Sequence, residues 1–272
     1  MAAPLRLLVS DVDGTLVRHD KSLAEATVAA FARLRAAEIA ATLISARPPT
    51  GIAWIADRLG IDAPLAAFNG GTLFTRDGTI LSAIRLEPKI ARLALDMIGG
   101  AGVDIWLFAD GRWYARHADN PHTPRERLSA GIDVTLTDDL AAFADRADKI
   151  VGVSDDSPLL AGIERRLQEA VRGGATVARS QAYYLDVTAL AANKGAGLKA
   201  LAGAAGVPLE EVMVLGDMSN DLPMFAEAGF SVAMGQAPEH VRAAADAVTL
   251  SNEEDGVAAA IDRLLAGTLR RG

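Results

Sequence analysis

The chain has 272 residues, 27 Lys and Arg against 35 Asp and Glu, a formal net charge of −8, and no cysteine. The missing cysteines exclude a disulfide framework, a thiolate zinc site, an iron–sulfur centre and a cysteine nucleophile. The acidic balance argues against broad nucleic-acid binding, which needs a basic footprint.

No run of about 18 uncharged apolar residues occurs, so no membrane span is expected. Met1–Arg6 has no basic n-region and its apolar stretch is cut by Arg6. A cytoplasmic protein without a signal peptide is the expectation. Leu5–Ser10 is a short apolar run closed by an acidic, glycine-containing turn, which suits a buried strand of a parallel sheet. Ser22–Ala37 has helical spacing, with Ser22 as N-cap and Glu25 three residues on. Ala41–Ser45 reads as a second strand, Pro48 and Pro49 open a second helix, and Leu65–Phe68 is a third strand. Strand, helix, strand, helix, strand predicts a doubly wound α/β sheet.

The pattern then changes. Thr72–Thr75 and Thr79–Ser82 alternate around Arg76-Asp77-Gly78 and predict a hairpin. A helix over Pro88–Gly99 follows, then paired strands Val103–Phe108 and Arg112–Arg116, and a polar stretch around Asn120-Pro121. Next come a strand at Lys149–Val153, a helix at Pro158–Val171, and strands at Ala175–Ala178 and Tyr183–Val187. After Lys194 the α/β alternation resumes: helix 194–205, strand Val212–Leu215, helix 220–228, strand Phe230–Ala233, and helices 238–245 and 255–266. Neither α/β portion completes a doubly wound sheet alone. The expected organisation is a split Rossmann-like core, 1–83 with 189–272, carrying an inserted α+β domain at 84–188.

Asp11-Val12-Asp13-Gly14-Thr15-Leu16 follows the first strand, at the edge where open α/β sheets bind ligands. Two carboxylates held that close repel unless a cation lies between them, and hard oxygen donors suit Mg²⁺. The plainer reading, an acidic solvated turn, fits a bare Asp-x-Asp better than this full motif. Asp77-Gly78-Thr79 repeats part of the motif, but between alternating segments and without the partner carboxylate, so it reads as turn chemistry. Gly216-Asp217-Met218-Ser219-Asn220-Asp221 follows another apolar strand and brings two more carboxylates to the same edge. Ser219 as an N-cap with acids in the first turn is its plainer reading. Lys194 opens a glycine-bearing helix, where an ammonium can meet a phosphate dianion or simply be solvated. Ser45-Ala46-Arg47 ends the second strand with a hydroxyl and backbone N–H groups at a helix start, a phosphate cradle.

These four motifs, DVDGTL (11–16), SAR (45–47), NKG (193–195) and GDMSND (216–221), resemble in order those of the haloacid dehalogenase superfamily, specifically Cof-type phosphatases with the larger α/β (C2B-type) cap. Asn69-Gly70-Gly71, AMGQA (233–237) and SNEEDGVA (251–258) extend the likeness over the whole core, whereas the inserted domain matches only in layout. The resemblance implies a Mg²⁺-dependent phosphomonoester hydrolase acting on small phosphorylated metabolites such as sugar phosphates. It makes Asp11 the nucleophile that becomes an aspartyl-phosphate and Asp13 the general acid and base. It implies metal ligation by Asp11, Asp217 and the Asp13 backbone carbonyl, with Asp221 at the metal or orienting Lys194. It implies a phosphoryl clamp of Ser45, the Ala46 N–H, Lys194 and Asn220. The family more often has Gly where Ala46 stands, and Asn where Met218 and Gln236 stand.

A phosphosugar mutase would use the same two Asp residues, and a binding protein with a dead site is a third class. Gly195-Ala196-Gly197-Leu198-Lys199-Ala200 fits a dinucleotide-binding pattern with Asp217 about 20 residues on, but no strand leads directly into it. The four histidines, His19, His117, His122 and His240, show no ligand spacing. The core reads only the phosphoryl group, so substrate choice is expected of the inserted domain, with Arg47, Trp113 and Tyr184 as candidate substrate contacts. The plainer reading of the inserted domain's aromatics is that they form its own core, while alternation puts Trp113 and Tyr114 on opposite faces of their strand, which leaves one of them able to face the cleft.

Overall fold

Leu7–Ser10 is buried on every side chain and forms β1, as a strand covered on both faces must. The structure, a computed structural model, describes residues 4–269. After β1 come α1 (Glu25–Ala36), β2 (Ala40–Leu43), α2 (Thr50–Leu59), β3 (Leu65–Ala67), β4 (Thr72–Phe74) and β5 (Ile80–Ala83). The intervening segment holds α3 (Pro88–Gly99), β6 (Asp104–Ala109), β7 (Arg112–Ala115), α4 (Thr123–Ala130), β8 (Val134–Leu136), β9 (Ala147–Val153), α5 (Ser157–Val171), β10 (Ala175–Gln181) and β11 (Tyr184–Ala189). Then follow α6 (Lys194–Ala205), β12 (Val212–Gly216), α7 (Leu222–Glu227), β13 (Phe230–Ala233), α8 (Glu239–Ala244), β14 (Ala247–Val248) and α9 (Gly256–Leu265).

The chain divides into two compact units, one up to Leu81 and from Asn193 onward, the other Ser82–Ala192. In the first unit a parallel sheet runs in the order β14-β13-β12-β1-β2. Leu7, Val9, Val212 and Val214 pack with Leu198 and Leu201 of α6 and Met224 and Phe225 of α7. The strand at 65–67 does not extend this sheet as a full member. It touches it through a single bridge, Ile44 to Ala66, and otherwise pairs antiparallel with β4. At the β4–β5 turn the Asp77 carboxylate accepts the Thr75 hydroxyl and the Thr79 N–H, so this second Asp-Gly-Thr closes a hairpin.

The first helix begins later than its pattern suggests. Ser22 is not its N-cap: the Ser22 carbonyl accepts the Arg18 N–H at 3.0 Å, closing a turn, and α1 starts only at Glu25 behind Ala24. In the second unit the sheet order is β10-β11-β9-β6-β7-β8. α3 and α5 cover one face, burying Ile105, Leu107, Tyr114, Ile150, Leu185 and Val187. α4 and β8 lie in the stretch that reads as merely polar. Of α4 only Thr123 and Ala130 are buried, too few to make a helical stripe, and β8 is three residues long.

Candidate active site

β1 sits between β2 and β12, with Ser10 opposite Leu43 on one side and Leu215 on the other. The three strands end level, so the residues just beyond their ends converge: Asp11 after β1, Ser45 after β2, Asp217 after β12. The ladder persists one residue further, with Asp11 N–H donating to the Leu215 carbonyl at 3.0 Å and Ile44 N–H to the Ser10 carbonyl at 3.0 Å.

The turn after Asp11 depends on Gly14, whose φ is 80°, and where a Cβ would stand 2.4 Å from Oδ2 of Asp217. A side chain is therefore excluded by conformation and by space. Thr15 donates its hydroxyl to Asp217 Oδ1 at 2.8 Å, tying the first motif to the last. Gln236 adds a second tie. Its amide nitrogen donates to the Gly14 carbonyl at 2.5 Å and its oxygen accepts the Asn252 N–H at 3.2 Å. Nothing in the local sequence marks Gln236 for this role, since a bond to a carbonyl 222 residues away leaves no local pattern.

Lys194 is the first residue of α6, behind Asn193, whose side chain accepts the Ala196 N–H at 3.0 Å. Its ammonium is buried and donates to Asp11 Oδ1 and, at 2.6 Å, to Asp221 Oδ1. The other Asp221 oxygen accepts the N–H groups of Asp217 at 2.8 Å and Met218 at 2.9 Å. Asp221 is thus fixed from both ends, whereas Ser219, the plainer N-cap candidate, bonds His240 instead. Asp11, Asp217 and Asp221 each place a carboxylate oxygen within 4.8 Å of the others. Of these three buried carboxylates, Asp11 and Asp221 bond the Lys194 ammonium and Asp217 does not.

Burial, with Asp221 and Asp217 adding repulsion, pushes the Asp11 carboxyl well above its usual range against the pull of Lys194. Burial and then Asp221 push Asp217 up to about 6, opposed by the Thr15 hydroxyl. Burial works against the Lys194 charge, but Asp11 and Asp221 outweigh it and hold the ammonium protonated. An all-oxygen donor set with excess negative charge and raised proton affinity fits a hard divalent cation such as Mg²⁺.

Asp13 turns the other way. Arg47 donates from Nε to its Oδ2 and from Nη2 to its Oδ1, both at 2.7 Å, and Lys21 reaches Oδ1 at 2.6 Å. Burial would raise the Asp13 carboxyl, but Arg47 and Lys21 hold it well below the carboxylate range. Arg47 is itself buried, with Nη1 on the Gly51 carbonyl at 3.0 Å. Its backbone N–H is turned inward to Ser45 Oγ at 3.2 Å, so that amide does not face outward as a cradle would need. Ala46 between them is half-buried. Asn220 is exposed and donates to Asn69 Oδ1 at 3.1 Å, while Asn69 N–H bonds the Ser45 carbonyl at 2.8 Å.

Trp113 and Tyr184 belong to the second unit. Both Trp113 and Tyr114 are buried, as the plainer reading of them as the inserted unit's own core has it, and of the two only Tyr114 lies in the cluster under α3 and α5. Tyr114 stacks on Phe143, and Trp113 contacts Trp106 edge-on with centroids 4.9 Å apart. Tyr184 meets the same Trp106 at 5.3 Å. The dinucleotide pattern at 195–200 serves packing: a Cβ on Gly197 would lie 2.7 Å from the Gly70 Cα.

The raised carboxyls make the metal-free protein pH-sensitive. A group whose folded value is raised stabilises fully below its ordinary value and loses that contribution as pH rises through the folded one. For Asp217 the window runs from 3.8 to about 6, and Asp11 acts in the same direction. Asp13 has the opposite sign, its contribution being lost only as pH falls below 3.8. In EDTA, denaturant titrations should show stability falling as pH rises across the Asp217 window. The fall should be shallower in Asp217→Asn; equal slopes in the two proteins would reject the assignment.

The family model of haloacid dehalogenase-like hydrolases matches residues 8–261. A Haemophilus influenzae protein named "Putative phosphatase" is 30% identical over 254 residues, 93% of this chain and 95% of that one. A haloacid dehalogenase-like hydrolase from Bacteroides thetaiotaomicron has a similar structure, with a TM-score of 0.87 at 28% identity over 96% of this chain and 99% of that one. A sugar phosphatase of subclass IIB shares the fold, with a TM-score of 0.81 at 23% identity over 97% and 100% of the two chains. None of the helices among the described residues is long and apolar enough to cross a membrane. The matched family model takes in both the strand-end carboxylates and the inserted unit, and the chain belongs to the haloacid dehalogenase-like hydrolases.

Proposed function

We propose that this hydrolase is a Mg²⁺-dependent phosphatase of small phosphorylated metabolites, sugar phosphates among them, working through an aspartyl-phosphate. The observation that carries the reading is the buried cluster of Asp11, Asp217 and Asp221 around the Lys194 ammonium at one end of adjacent parallel strands. An Asp11 oxygen attacks phosphorus, the bond to the leaving alkoxide breaks, and that oxygen takes a proton from Asp13, which holds one only once its pairing with Arg47 and Lys21 is relieved. Water then attacks phosphorus, Asp13 takes its proton, and the bond to Asp11 breaks. Lys194, Ser45, the Ala46 N–H and Asn220 hold the phosphoryl oxygens, with Lys194 offsetting their charge. Asp11, Asp217 and the Asp13 carbonyl would hold the Mg²⁺, which would supply further neutralisation of that charge. Both Asp221 oxygens are already engaged, which supports an orienting role toward Lys194 and the Asp217 backbone.

The test is incubation with a hexose 6-phosphate, following free phosphate and hexose 1-phosphate together, with and without EDTA. The expected result is phosphate release that EDTA abolishes and Mg²⁺ restores. Isomerised sugar phosphate with almost no free phosphate indicates a mutase instead. Full turnover after rigorous metal removal rejects the metal.

We assign selection among leaving alcohols to the inserted unit, with Tyr184 as the contact to test, because the core motifs address only the phosphoryl group. Trp113→Ala would open a cavity costing about 3–5 kcal/mol, so the informative variant is Tyr184→Phe. It should shift the ratio of kcat/KM between two natural phosphoesters by about tenfold. An unchanged ratio in the folded variant removes Tyr184 from the specificity site.

A further inference from the structure

β13 lies beside β12, and β12 beside β1. The chain leaving β13 passes the tip of β12. Met234 N–H donates to the Gly216 carbonyl at 3.0 Å, just before Asp217, and Gly235 N–H turns to the Leu250 carbonyl at 3.0 Å. Gln236 comes next, and its side chain carries on to the turn after β1. Nε2 donates to the Gly14 carbonyl at 2.5 Å, and Oε1 accepts the Asn252 N–H at 3.2 Å. Gln236 is exposed, so these two bonds, rather than packing, account for its placement. Asn252 in turn donates from Nδ2 to the Val17 carbonyl at 3.0 Å, and Arg18 pairs with Asp255 at 2.9 Å.

Asp217, at the tip of β12, stands between the strand that carries Gln236 and the turn that carries Gly14. Its Oδ1 accepts the Thr15 hydroxyl at 2.8 Å, and a Cβ on Gly14 would lie 2.4 Å from its Oδ2. The Gly14–Thr15 peptide is therefore the wall against which both oxygens rest. That wall is built at the residue type with the most backbone freedom: Gly14 has a φ of 80° and no Cβ to resist rotation. The Gly14 carbonyl, which Gln236 grips, belongs to that same peptide.

We propose that Gln236 is a positioning residue for the cation site: by gripping the Gly14 carbonyl it keeps the Gly14–Thr15 peptide against Asp217 and sets that carboxylate before the cation arrives. This rests on the reading that Asp11 and Asp217 hold Mg²⁺. Groups that orient a metal ligand without touching the metal change its affinity by about 10–100-fold when they are lost.

The experiment is calorimetric titration of the whole protein, freed of metal by chelation, with MgCl₂ alone at one fixed pH. Wild type should bind saturably. Gln236→Met, similar in length but unable to donate to a carbonyl, should bind Mg²⁺ about tenfold more weakly, and Gln236→Ala should do the same. The Mg²⁺ concentration that gives half-maximal thermal stabilisation should rise by the same factor. In EDTA both variants should keep a Tm near that of the wild type, because truncating an exposed side chain leaves no cavity. Arg18→Met cuts another tie between the same two segments without touching the Gly14–Thr15 peptide, and should leave Mg²⁺ affinity unchanged. A merely structural role for Gln236 predicts a lower Tm in EDTA with unchanged Mg²⁺ affinity, and that result overturns the proposal. A loss of affinity in Arg18→Met equal to that in Gln236→Met overturns it as well. No Mg²⁺ binding by the wild type overturns the cation reading itself and the role of Gln236 with it.

Discussion

Asp11→Asn is expected to lose at least about 10⁴-fold in turnover while keeping its fold and a Tm no lower than that of the wild type. Loss of a covalent nucleophile costs rate on this scale because no other group can form the intermediate. The stability half follows from the same geometry. Asp11 is buried beside Asp217 and Asp221, and burial with that repulsion already favours its neutral form. An amide is nearly isosteric and neutral, and its oxygen still accepts from Lys194. Removing one of three negative charges relieves the cluster. Acid-trapped wild type should carry a phosphoryl adduct on Asp11 that mass spectrometry localises and the variant lacks. A folded variant that retains a sizeable fraction of wild-type turnover means that another residue is the nucleophile.

Lys194→Met combines the largest expected loss of stability with a loss of rate. Lys194 is 1% exposed, and its ammonium is the cation that Asp11 and Asp221 share. Removing one partner of a buried ion pair leaves an uncompensated charge and typically costs about 3–5 kcal/mol. In a chain of this size that lowers Tm by roughly 10 °C. Turnover should fall by about 10²–10³-fold, the usual effect of losing one preorganised charge at the transition state. Two further measurements identify the cause. The deficit should shrink as pH drops below about 6, where Asp217 gains its proton, and Lys194→Met combined with Asp11→Asn should recover stability without activity. If the two substitutions lower stability additively, the ion pair is not what the lysine contributes.

Much of the fold and of the site was legible from local pattern. The apolar runs at Leu7–Ser10 and Val212–Gly216, each closed by an acidic glycine-containing turn, marked buried parallel strands and their ligand-facing ends. Asp-Gly-Thr occurs twice, at 13–15 and 77–79, and strand context told the two apart: the first leaves an all-buried strand, the second joins two alternating ones. The polar stretch after Asn120 hid α4 and β8, because a helix with two buried residues and a strand of three leave no periodicity to read.

Chemical identity and placement along the chain were therefore determined by the sequence itself. Residue type and spacing set which side chains can carry charge, where the backbone must turn, and which strands are buried. Tertiary structure alone decided which charges face each other: Lys194 between Asp11 and Asp221, Arg47 and Lys21 on the two oxygens of Asp13, Gln236 on the Gly14 carbonyl. It also covered both faces of β7, burying Trp113 on one and Tyr114 on the other, which alternation along one strand cannot tell. The physical reason is common to all of these. Periodicity reports how a segment meets its own backbone and one neighbouring layer, whereas an ion pair or a covered face depends on which distant segment arrives there.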